Sequence, residues 1–126
     1  MERMPTVDDL LKRMMDRGFL FMPAPGDAEV PHTLMASFGW PGYIDWIHIR
    51  GEDDATACRF RDERGDGRDR PAGRVVWKYE GTFADTAIEL LCLPDPGERN
   101  SPYRITSPPS ALWLPEWPRI PEPRRP

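Results

Sequence analysis

His48 and Asp45 form the one pair in this chain that resembles acid–base machinery. An imidazole titrates near neutrality, and a carboxylate close by could orient it or share its proton. The spacing works against the pair: residues three apart in an extended strand point to opposite faces. Only a bulge between them would bring the two together, so a structural or surface role is the plainer expectation for His48. His32 follows Pro31 in a turn-rich stretch with no ligand set beside it. Glu52, Asp53 and Asp54 are three consecutive acids that could hold a divalent cation. They lack the alternating D-x-[DN]-x-[DN]-G pattern of a calcium loop and read as solvated turn residues. Cys58 and Cys92 have no CxxC or Cys/His spacing, which argues against zinc and against a disulfide scaffold. Both sit among apolar neighbours and are expected as buried thiols acting as small hydrophobes. No G-x-x-x-x-G-K, G-x-G-x-x-G or G-x-S-x-G motif occurs. The expectation is therefore no catalytic residue, no metal and no cofactor.

The elements that would position these side chains follow from periodicity. Val7, Leu10, Leu11, Met14 and Met15 recur at three- and four-residue spacing, predicting a helix over Thr6 to Arg17. Thr6 is its N-cap with Asp9 in the capping-box position, and Gly18 stops it. Phe19 to Met22 is a short apolar run, either a brief strand or a connector. Thr33 to Phe38 reads as a strand, and Gly39 to Gly42 as a turn carrying an aromatic. Along Tyr43 to Arg50 the apolar phase shifts by one residue between Trp46 and Ile47. That requires either a bulge there or cover on both faces. Gly51 to Asp54 is a hairpin loop, and Ala55 to Asp62 returns with Cys58 and Phe60 on one face, Arg59 and Arg61 on the other. Val75, Trp77 and Tyr79 alternate cleanly with their neighbours. Thr82 then caps a second helix whose buried face is Phe83, Ala87, Leu90 and Leu91, and Pro94 to Gly97 closes it. Tyr103 to Thr106 offers a further short strand before the tail.

Helix, meander, helix predicts an α+β fold, a two-layer sandwich in which an antiparallel meander of about four strands carries two helices on one face. Its core should include Leu10, Leu11, Met14, Trp77, Phe83, Ala87 and Leu91. Residues 1–106 form the domain at this chain length, and 107–126 form an extended Pro-rich tail with a disordered end.

That tail is the strongest functional signal. Ten of the sixteen prolines fall within 94–126, which forbids a helix interior or central strand there. Yet Leu112, Trp113, Leu114, Trp117 and Ile120 are too apolar for a solvated end. They must lie on this chain's own sheet or on another protein, and tryptophan is enriched at binding hot spots. Leu112, Trp113, Trp117 and Ile120 are the candidate partner contacts, with the exposed hairpin region beside them.

Composition narrows the rest. A net charge of −4 and a pI near 5.2 argue against a dedicated nucleic-acid binder. Fifteen arginines against two lysines reflect GC-rich coding more simply than function. The stretch Arg59 to Arg74 holds six arginines and four acids and reads as a solvated loop. With no hydrophobic signal region at the N-terminus and no apolar run of about 20 residues, a cytoplasmic, reduced protein is expected. The function expected is that of a small protein-interaction protein, an accessory subunit, inhibitor or immunity-type binder that works by occupying a surface. The alternatives are a small enzyme with a dispersed active site and, more weakly, nucleic-acid contact through the Arg59–Arg74 loop.

Overall fold

The computed structural model describes residues 4–24, 33–62, 74–107 and 109. Helix α1 runs over Val7–Arg17, followed by strands β1 (Leu20–Ala24), β2 (Thr33–Trp40), β3 (Tyr43–Gly51), β4 (Asp54–Arg61) and β5 (Val75–Gly81), and then helix α2 (Phe83–Leu91). The strands form one antiparallel sheet in chain order, β1-β2-β3-β4-β5. The fold is thus the expected α+β meander with two helices. It has five described strands where about four were anticipated, because Phe19 to Met22 does lead into a strand.

The caps read from the sequence are present. Thr6 Oγ1 accepts from the Asp9 amide at 3.1 Å and Asp9 Oδ2 accepts from the Thr6 amide at 3.0 Å, satisfying two of the donors a helix start leaves open. Gly18 ends α1 at φ 110°, and a Cβ there would meet the Phe38 ring at 3.1 Å. Its lack of a side chain is therefore required twice. Thr82 Oγ1 accepts from the Asp85 amide at 3.1 Å, and the Phe83 amide donates to the Glu52 carbonyl at 2.9 Å. That second bond pins the start of α2 to the β3–β4 hairpin. Arg17 donates to the Leu91 carbonyl at 3.1 Å, so the last turn of α1 also closes the end of α2. Among the described residues no helix is long and apolar enough to cross a membrane.

Both helices pack on one face of the sheet. Leu10, Met14, Phe83, Ala87 and Leu90 meet Phe19, Ala36, Ile47, Ala55 and Ala57 there. Four of the seven anticipated core residues (Leu10, Met14, Phe83 and Ala87) are fully buried, while Leu11, Trp77 and Leu91 pack at its margin. In α2 the innermost leucine is Leu90 rather than Leu91, a shift of one position around the helix. The opposite sheet face carries a second buried cluster of Met35, Ile44, Trp46, Cys58, Phe60 and Val75.

That second cluster explains the phase shift along β3, and a bulge at Trp46 and Ile47 does not. The ladder is regular from Tyr43 to Ile49 against both neighbours, with Ile44 opposite Phe60, Trp46 opposite Cys58 and Ile47 opposite Ala57. The irregularity lies between Ile49 and Gly51, at the hairpin end. Ile44 and Trp46 face one cluster and Ile47 faces the other. A strand buried on both sides has no reason to alternate, and β4 behaves likewise, with Ala55 to Phe60 all buried. Cys58 is buried as expected, but Cys92 is exposed: it sits at the C-cap, past the last turn that faces the core. Tyr103 to Thr106 is not a strand; a single bond from the Thr106 amide to the Val75 carbonyl (2.7 Å) ties it to β5.

Candidate functional site

The hairpin of β3 and β4 places Asp45 directly opposite Arg59, on the helix-side face beyond Ile47 and Ala57. Arg59 Nε donates to Asp45 Oδ1 at 2.6 Å and Nη2 donates to Oδ2 at 3.0 Å, the two-pronged geometry that suits guanidinium and carboxylate. The Trp40 indole donates to Asp45 Oδ2 at 2.9 Å, and its ring lies 5.8 Å from the Arg59 guanidinium carbon. Arg59 Nη1 reaches the Pro94 carbonyl at 2.6 Å. Arg59 is 0% exposed and Asp45 3%. Arg59 is therefore not part of a solvated basic loop. It is a buried tie holding the segment after α2 against the sheet. Residues 63–73 of the Arg59–Arg74 stretch lie outside the described residues.

His48 lies on the other face, across the ladder from Thr56 and Met35, so Asp45 and His48 do not meet. His48 Nε2 is 2.6 Å from Thr33 Oγ1, and Nδ1 is 3.1 Å from Arg50 Nη1. A guanidinium only donates, so Nδ1 must accept, which leaves the ring proton on Nε2 and directs it at Thr33. In that tautomer His48 cannot take a proton from Thr33, so the contact is not a nucleophile–base pair. Arg50 is held in turn by Asp54 through Nε at 2.8 Å and Nη2 at 2.9 Å, and Nη2 also bonds Thr56 Oγ1. The Asp54 carboxyl is held below the usual range, first by the hydrogen bond from Arg50.

Burial lowers the His48 pKa from 6.5, and the Arg50 charge lowers it further; Asp54 opposes both. The folded state thus binds this proton less readily than the unfolded chain. The stability it protects is full above pH 6.5 and is lost as pH falls below that value. We expect urea titrations between pH 7.5 and 5 to show stability falling with acidity. His48→Gln should flatten that decline. Parallel pH curves for the two proteins would contradict the assignment.

Burial pushes the Cys58 thiol well up, with the Asp45 carboxylate adding to the effect, so it is no nucleophile. Of the three hairpin acids, Asp54 is committed to Arg50 and the Glu52 carbonyl to α2. Among the described residues no group of three or more histidines, cysteines or carboxylates could hold a metal ion. His32 and the tail contacts Leu112, Trp113, Trp117 and Ile120 lie outside the described residues.

Sequence reasoning missed the Asp45–Arg59–Trp40 set and the Thr33–His48–Arg50–Asp54–Thr56 network. The first had a signal: Asp45 and Arg59 stand seven residues either side of Glu52, and a hairpin turning there sets opposite charges face to face. The second had none beyond the His48–Thr56 register, because Thr33 arrives from a strand whose register nothing local fixes. No known protein family, curated protein or solved structure matches this chain.

Proposed function

We propose that the protein acts by binding another protein, as an accessory subunit, inhibitor or immunity-type binder, through apolar side chains displayed at the two edges of its sheet. The observation that carries this reading is where large apolar groups remain exposed. Leu20 opens the edge strand β1 at 54% exposure, and Met15 precedes it on the last turn of α1 at 57%. At the other edge, Tyr103 and Ile105 stand at 58% and 53%, beside the Thr106 bond to β5. Apolar groups left in water beside polar surroundings are how protein contact surfaces are built. Among the described residues, Asp45, His48, Asp54 and Arg59 are by contrast engaged in hydrogen bonds within the sheet.

The edges themselves favour side-chain docking over strand addition. Pro23 removes a donor from β1, and Thr106 already occupies the Val75 carbonyl of β5; both are ways a sheet avoids pairing with foreign strands. The test is a photo-crosslinking residue placed at Leu20 or Ile105 in cells of the native host, with Glu89 as the control position. A discrete protein adduct from an edge position, absent at Glu89 and lost in Leu20→Glu or Ile105→Glu chains that melt normally, supports the reading. No adduct from either edge overturns it.

A further inference from the structure

The sheet has two faces, and the two helices account for one of them. On the other, Ile44, Trp46, Cys58, Phe60 and Val75 are all 0% exposed and Met35 is 4%. Strands do not bury a tryptophan on a bare face; a second layer has to lie over it. Both α1 and α2 pack on the Ile47–Ala57 side, so the layer is neither of them.

The described path of the chain after α2 runs towards that face. Pro94 is still on the helix side, where Arg59 takes its carbonyl. The Tyr103 carbonyl accepts from Arg61 at 2.6 Å, and by strand alternation Arg61 also belongs to that side. At Thr106 the chain lies along the outer edge of β5, bonded to the Val75 carbonyl. Ser107 then accepts from Lys78 Nζ at 3.0 Å, and Lys78 lies opposite Cys58 in the ladder, on the far face. Pro109 is buried. In this short run the chain passes from the helix side to the outer edge of β5 and on to a side chain of the far face, and two residues later Pro109 is buried.

We propose that residues 110–126 continue in cis across this face as its covering layer, with Leu112, Trp113 and Trp117 seated on Met35, Ile44, Trp46 and Phe60. The reach is ample. Seventeen residues beyond Pro109 extend to roughly 55 Å, against a sheet of five strands about 20 Å wide. The chemistry fits as well. Prolines favour extended backbone, which lowers the entropy lost on docking. In an extended run residues four apart share a face, which allows both indoles to point into the sheet. The tail tryptophans are then core residues, and partner contact falls to the sheet edges.

Cys58 lies in the covered cluster and reports its cover directly. In a Cys92→Ser background, where Cys58 is the one thiol, Trp113→Ala/Trp117→Ala should speed its reaction with an aromatic disulfide reagent at least tenfold while the protein stays monomeric. Unchanged Cys58 protection overturns the proposal. Protection in the unsubstituted tail that is lost on dilution also overturns it, because a second copy would then be the cover. Should the double variant unfold, the unaltered full chain decides. Nuclear Overhauser contacts from the Trp113 or Trp117 indole to the Met35 methyl are expected, and their absence sinks the idea. Crosslinking at Leu20 and Ile105 is read separately, so either result can fail without the other.

Discussion

Asp45→Ala should remove about 3–5 kcal/mol of folding stability, the cost of leaving a buried charge without its partner. The variant strands the Arg59 guanidinium at a site with no access to water. Nε and Nη2 lose their acceptors, and the Trp40 indole loses its own. Only the Pro94 carbonyl remains to Arg59 among these bonds, and one neutral acceptor does not balance a desolvated cation. For a domain whose total stability is of order 5–15 kcal/mol, such a loss is about a fifth or more. Arg59→Ala should cost a similar amount, for the mirror-image reason that it buries an unpaired carboxylate. Asp45→Leu with Arg59→Met together should cost far less than the two single changes added, since hydrophobic replacement of a buried pair is often close to neutral. A double-mutant cycle by denaturant titration measures this directly. Additive losses would mean that the pair contributes as two independent packing groups.

The contrast between that ion pair and the rest of the hairpin shows what could be read from the residues alone. The helices were legible because every signal agreed: Thr6 with Asp9, Thr82 with Asp85, Gly18, and apolar spacing on a period of 3.6. Cooperation among local signals of this kind makes an element readable without tertiary knowledge. The meander was legible for the same reason, as strands of alternating or apolar character separated by the turns read at Gly39 to Gly42 and Gly51 to Asp54, although β2 runs on through Gly39 and Trp40 and narrows the first turn to Pro41-Gly42. Gly42 indeed adopts φ 80°, as the third position of a tight turn after proline requires.

Legibility failed where two distant segments decide the outcome. The break in alternation at Trp46 and Ile47 had two explanations, a bulge or two covered faces, and nothing in Tyr43 to Arg50 separates them. The difference lies in whether another layer arrives on the far side. Arg59 looked solvated for a related reason. Its own strand reads polar–apolar, and only the arrival of Asp45, Trp40 and Pro94 from three other places makes burial tolerable. Cys92 failed on geometry: being apolar in character does not tell which side of a helix end a residue occupies. The His48 network illustrates the same limit, since Thr33 and His48 are brought together by the β2–β3 register.

Trp46→Ala should be as damaging as loss of the ion pair, at about 3–5 kcal/mol, equivalent to roughly 10–20 °C in melting temperature for a chain of this size. The reasoning starts from position. Trp46 lies on β3, the middle strand of five, with Ser37 and Cys58 directly opposite it on the two neighbouring strands. Both ladders hold the backbone in place, so the sheet cannot close over the space the indole leaves. Ile44, Phe60 and Val75 would line a cavity rather than collapse into it, and the cost of a truncation rises with the cavity that remains. Trp46→Phe keeps most of the volume and should lose roughly half as much or less. Leu20→Ala, on an edge strand and already in water, should change stability by under about 0.5 kcal/mol. The comparison needs equal denaturant slopes across the series, because a changed slope would signal an altered unfolded state or lost two-state behaviour. If Trp46→Ala falls within 1 kcal/mol of the parent chain, the far face of the sheet is not a packed core, and the second buried cluster would lose its standing as a structural layer.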